Sequence, residues 1–183
     1  MKNKLSTNTL LSLTAMMVSV LTLVIFIYQT SLMRKQNYLS ILPYVQFAER
    51  NHPNSKIYEL SLKNHGVGPA ILESVQMIYH GKVENLTSYN NELLSYLKQK
   101  RPALDSLANY TYATLDPGIA LPANEVYTFL KVEGSEKDCK LIANTIESLL
   151  QDGLEYKLIY KSIQDERWQI KSNSPTNSPE KLH

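Results

Sequence analysis

Residues 10–28 (LLSLTAMMVSVLTLVIFIY) hold no charge, no proline and no glycine. At about 1.5 Å of rise per residue, such a run wound as a helix is long enough to cross a bilayer core once. No other stretch of the 183 residues approaches it. The rest of the chain is therefore expected either to stay tethered or to be released by cleavage. Lys2 and Lys4 ahead of the run suit a secretion signal. The run is longer than the usual signal core, however, and the Gln29-Thr30-Ser31-Leu32-Met33-Arg34-Lys35 that follows has no A-x-A-like site. No cysteine follows closely enough to carry a lipid. The expectation is an uncleaved single-pass anchor whose partner is the lipid bilayer through residues 10–28. Lys2 and Lys4 lie on one side of it and Arg34 and Lys35 on the other, so charge leaves the side of the soluble part open.

Charge bears on partners too. The chain holds 19 basic and 17 acidic residues, and four of the bases but none of the acids precede residue 49. The remainder is thus slightly acidic, at −2, and has no electrostatic footprint for nucleic acid. The four early cations are better matched to lipid headgroups and topology. Cys139 is the only cysteine, which excludes an intramolecular disulfide and a cysteine-based zinc site. The sequons at Asn85-Leu86-Thr87 and Asn109-Tyr110-Thr111 matter only in a host that glycosylates.

Beyond the anchor, residues 29–40 can continue as a helix, with Leu32, Gln36 and Leu39 along one side, until Pro43 biases Leu42 towards extended backbone. The period then changes to two. Residues 43–50 read as a first strand, 56–64 as a second with Tyr58, Leu60 and Leu62 on one face, and 70–80 as a third with Val75, Met77 and Tyr79 inward. A short edge follows at 83–86 and a helix at 89–100, capped by Thr87 or Ser88 and closed by Pro102. Residues 109–115 and 125–133 are strands. Ser135-Glu136-Lys137-Asp138 resembles a capping box for an amphipathic helix that ends at Gly153. Residues 154–163 and 166–171 form a last hairpin. Seven or eight short strands linked by turns favour an antiparallel sandwich over a doubly wound sheet. The fold class is mainly β (α+β) with two inserted helices. The expected organisation is a polar tail over 1–9, the membrane helix over 10–28, a juxtamembrane helix or linker over 29–42, a β-sandwich domain over 43–171 and a disordered tail over 172–183.

At Asn64-His65-Gly66-Val67-Gly68-Pro69-Ala70 the chain resembles a group of uncharacterised bacterial proteins in which one N-terminal membrane helix carries an immunoglobulin-like domain. Their pattern is N-x-G-x-G-P-A between a strand ending in L-x-N, here Leu62-Lys63-Asn64, and the next strand. Arg34-Lys35-Gln36-Asn37, the Pro-led first strand and a final hairpin bearing Arg167-Trp168 also resemble that group. The resemblance implies an immunoglobulin-like sandwich anchored in a cell (inner) membrane, and it implies no activity. Physically, Asn64, Gly66, Gly68 and Pro69 read as a fold-defining turn. Asn64 can bond the turn backbone, the glycines permit φ > 0, and Pro69 fixes its own φ. A phosphate-cradling loop would need a helix start or a lysine, and a strand follows instead.

No catalytic or cofactor constellation emerges. His52, His65, His80 and His183 lack any metal-binding spacing. Ser95-Tyr96-Leu97-Lys98 matches S-x-x-K, the start of a penicillin-recognising serine site, without its partner motifs. Asp165-Glu166 sits at a hairpin tip. Cys139 lies near a helix N-terminus, where a thiol can be activated, but on the apolar stripe, where it acts as a small hydrophobe. The 12 tyrosines suit a recognition face or a half-exposed sheet. In the membrane run, Ser12, Ala15, Ser19 and Thr22 return to one helical face, where small and hydroxyl side chains favour helix association. The functional expectation is a non-catalytic interaction or sensing module with an unknown protein partner, self-associating through that face. The alternative is an oligomerising effector that perturbs the bilayer.

Overall fold

A computed structural model of the chain describes residues 6–52, 56–172 and 178–182, and the chain falls into two units, Met1–Ser40 and Ile41–His183. The first unit is one helix, α1 (Thr7–Leu39). Ser6 caps it, its Oγ accepting from the Thr9 N–H at 3.3 Å. At the far end the Ser40 N–H donates to the Gln36 carbonyl at 2.9 Å. The apolar run and the stretch after it are therefore a single helix of 33 residues. It is long and apolar enough to cross a membrane, and none of its residues is buried.

The second unit is built on two antiparallel sheets. In the first, β1 (Val45–His52), β2 (Ile57–Asn64), β7 (Val126–Glu133) and β5 (Tyr110–Tyr112) lie in the order β1-β2-β7-β5. In the second, β10 (Glu180–Lys181), β9 (Arg167–Lys171), β8 (Glu155–Lys161), β3 (Ala70–Tyr79) and β4 (Lys82–Asn85) lie side by side, and β6 (Ala120–Leu121) pairs with the start of β3. Two helices complete the unit, α2 (Leu93–Lys100) and α3 (Glu136–Gln151). Both sheets turn apolar residues into one core, which includes Tyr58, Leu62, Phe129, Leu130, Leu158 and Ile170. Contacts cross between the sheets. The Phe47 ring of β1 lies 4.2 Å from the Tyr156 ring of β8, and the Val45 N–H donates to the Tyr160 hydroxyl at 3.3 Å.

Several local features depart from simple alternation. β7 carries an extra residue opposite Leu60/Ser61 of β2, so two neighbours, Phe129 and Leu130, are both buried. β3 has a similar irregularity at Leu72/Ser74, which shifts its buried positions from Ala70 and Leu72 to Val75 and Met77. The single helix expected over 89–100 is interrupted. A 3₁₀ turn at Leu86–Tyr89 precedes α2, and Asn90 and Asn91 between them take left-handed φ of 55° and 58°, a conformation that Asn tolerates. Asp138 does not complete the capping box. Ser135 Oγ accepts from the Asp138 N–H at 3.2 Å, but the Asp138 carboxylate accepts from Ala108 N–H at 3.4 Å. Residues 172–183, expected to be disordered, contribute β10, which pairs with Trp168 and Gln169; 173–177 and 183 lie outside the described residues.

Candidate functional site

The Asn64 turn is where the unit grips the segment that enters it. Asn64 is fully buried. Its Oδ1 accepts from the backbone N–H of Tyr44 at 3.1 Å and of Gly66 at 2.9 Å. Its Nδ2 donates to the carbonyls of Gly68 at 2.8 Å and of Leu121 and Pro122 at 3.1 Å. One amide thus ties together the start of β1, the turn itself and the loop after β6. Backbone bonds extend the grip: His65 N–H to Tyr44 O at 2.7 Å, Val67 N–H to Leu42 O at 3.1 Å and Gly68 N–H to Leu42 O at 3.3 Å. The glycines serve close approach, and neither has a positive φ, contrary to the role expected for them. A Cβ on Gly66 would come within 2.7 Å of the Pro43 carbonyl carbon, and one on Gly68 within 2.7 Å of the Ile41 Cα. Such contacts leave no room for a side chain, so the chain at 41–44 can lie flat on the turn only because positions 66 and 68 are glycine. Pro69 follows, and Ala70 is buried as β3 begins.

Between the sheets lies a cavity of about 230 Å³. Phe47, Leu60 and Phe129 line it from the first sheet, and Val75, Met77 and Tyr156 from the second. Leu93 and Leu97 of α2 and Ile146 and Leu150 of α3 also line it. Glu49 is the only charged side chain on its wall. Glu49 stands opposite Leu60 of β2, two residues after Phe47 and so on the same strand face, and β1 lines the cavity with Phe47, Ala48 and Glu49. Burial, and after it the Glu49 charge, pushes the Tyr156 phenol above its ordinary range.

The other expected site residues are dispersed. Cys139 is buried, its Sγ lies 3.5 Å from the Val132 carbonyl, and burial pushes its thiol up, the opposite of activation. Ser95 Oγ donates to Glu92 at 2.5 Å, while Lys98 reaches the Tyr110 hydroxyl at 3.3 Å, so the S-x-x-K pair is not assembled. Asp165 pairs with Lys161 at 2.5 Å and Glu166 with Lys181 at 2.6 Å. His80 lies 3.7 Å from Asp152, which also accepts from Tyr79 and pairs with Arg101. The His52 side chain and His183 fall outside the described residues. Among the described residues no group of three or more His, Cys, Asp or Glu could hold a metal ion. The tyrosines do not form one face, since Tyr58, Tyr96 and Tyr160 are interior. On α1, Ser12 Oγ donates to the Asn8 carbonyl, Ser19 Oγ to Ala15 and Thr22 Oγ1 to Val18, at 2.8–2.9 Å.

The cavity is the feature that reading the strands singly does not reveal. Its lining comes from two sheets, two helices and two loops, at Leu115 and Leu154, and Glu49 on an otherwise apolar strand face is its one sequence sign. No family model, no curated protein and no solved structure matches the chain.

Proposed function

We propose that this chain is a membrane-anchored, non-catalytic interaction or sensing module. Its Ile41–His183 unit is read as an immunoglobulin-like β-sandwich, of the kind carried by bacterial single-pass proteins with an N-x-G-x-G-P-A turn. The observation that carries the reading is α1, a helix of 33 residues with none buried. Its apolar side chains include Leu11, Met16, Val18, Phe26 and Ile27, each at least 60% exposed. A water-soluble protein rarely leaves so large a contiguous apolar surface open, whereas a bilayer core solvates it and the helix satisfies its own backbone. The two antiparallel sheets around one core and the tightly bonded Asn64 turn support the sandwich reading. The hydroxyls of the Ser12, Ala15, Ser19 and Thr22 face bond their own helix, so self-association through it would rest on small size and close approach.

The test is fractionation of the full chain with intact-mass measurement. The reading expects the protein to stay with membranes through alkaline carbonate washing, at a mass that includes residues 1–28. Release into the wash would overturn anchoring. A product lacking the apolar run would make the run a cleaved signal.

A further inference from the structure

We infer that the cavity between the two sheets binds the end of a single aliphatic chain whose head group is neutral or cationic. The lining side chains are apolar except for those of Tyr156 and Glu49. A cavity with so few polar groups cannot hold ordered water well, because a buried water needs two to four polar partners. Protein cores are close-packed and keep few voids larger than a water molecule. At about 230 Å³ this one exceeds the roughly 150 Å³ apolar cavity that takes up benzene, and approaches the roughly 300 Å³ floor of small-molecule pockets. That size suits a chain end rather than a ring system or a whole lipid.

The entrance sets the head group. Leu150 of α3 lines the cavity yet is 41% exposed, and Glu49 of β1 lines it and is also exposed. They are the two exposed residues among those lining the cavity, so its opening to solvent is assigned to them. A chain lying inside would hold its head beside the Glu49 carboxylate, which repels an anionic head and tolerates a hydroxyl or a quaternary amine. A free fatty acid is thus the disfavoured member of its class. That a bilayer supplies such chains rests on the anchoring proposed above; the cavity and its preference do not.

Met77 lines the cavity and is the only methionine after Met33, so its methyl group is a single reporter. The full chain, with ¹³C-methyl methionine, is placed in phosphatidylcholine nanodiscs and titrated with 1-decanol, decyltrimethylammonium and decanoate. Met16 and Met17 of α1 serve as the control for simple partitioning into the bilayer. The proposal expects the Met77 methyl to move saturably with the first two ligands, and decanoate to bind at least about tenfold more weakly. Glu49→Gln should close that gap. Val75→Phe, which fills the cavity, should abolish the movement, and Leu97→Phe serves the same purpose should that variant fail to fold. A Met77 methyl that stays still, or one that moves equally in a folded, filled variant, overturns the site. Equal affinity for decanoate and decanol in the parent chain overturns the head-group preference. If Met16 and Met17 report water instead of lipid, anchoring fails while the Met77 result stands on its own.

Discussion

The side chain of Asn64 has five backbone partners at 2.8–3.1 Å, its two N–H hydrogens shared among three carbonyls, whereas the hydroxyl of Tyr96, just as buried, meets no partner among the described residues. Substitution should therefore act in opposite directions. Asn64→Ala takes the amide away from the Tyr44 and Gly66 N–H groups and from the Gly68 and Leu121 carbonyls, while the Pro122 carbonyl keeps the Glu125 N–H, and it should cost about 2–4 kcal/mol in urea unfolding. Asn64→Asp should cost no less, since it removes both donors and sets a carboxylate among three carbonyl oxygens. Tyr96→Phe keeps the edge contact with Tyr89 and the ring under Lys100. It removes an unpaired buried hydroxyl and should stabilise by about 1 kcal/mol. Alkaline pH tests the same interior. Burial pushes the phenols of Tyr58, Tyr96 and Tyr160 well above their ordinary value. A group whose pKa is raised by folding leaves stability intact below its unfolded pKa. Above about pH 10, unfolded tyrosines release protons that the folded ones retain, so stability should fall. Urea midpoints that do not drop between pH 8 and 10.5 would contradict the burial of these phenols.

Elements differ in how much of their shape rests on local chemistry. α3 is largely local: Ser135 caps it, Cys139, Ile142 and Leu149 form its buried stripe, and Gly153 stops it at φ 86°. The Gly153 N–H donates to the Leu150 carbonyl and the Leu154 N–H to the Leu149 carbonyl, closing the last turn. Nothing stands within 4 Å of where a Cβ would go at Gly153, so Gly153→Ala isolates the backbone cost. It should lower stability by about 1 kcal/mol without altering the near-ultraviolet spectrum. A larger loss would mean that the stop is also held by packing. The two strand irregularities are not local in this sense. Nothing in Val126-Tyr127-Thr128-Phe129-Leu130 announces that Phe129 and Leu130 are buried together, because the extra residue is fixed by pairing with β2 and by the core it faces. Likewise the break before α2 hides in Asn90-Asn91, a pair as compatible with a polar helix surface as with left-handed backbone.

At the scale of the whole chain, the succession of strands, the two helices and the long apolar helix could be read from period and punctuation, since each depends on residues adjacent in sequence, whereas the order of strands within each sheet could not. The Asn64 turn could be located but not explained. Its glycines matter for what passes over them, and a segment 20 positions away cannot be seen in local spacing. The cavity was invisible for the same reason. This distant grip makes the boundary of the folding unit testable. The Ile41–His183 unit holds both sheets and the core, so a fragment of residues 41–183 should fold with a strand-rich circular dichroism spectrum. A fragment of residues 45–183 keeps every strand but loses Leu42 and Tyr44. Asn64 Oδ1 then lacks the Tyr44 N–H, and the N–H groups of His65, Val67 and Gly68 lose their carbonyl partners. At about 1 kcal/mol for each bond left unmade, the shorter fragment should be some 2–4 kcal/mol less stable. Equal urea midpoints for the two fragments would mean that residues 41–44 merely lie beside the turn, and that Gly66 and Gly68 answer to some other constraint.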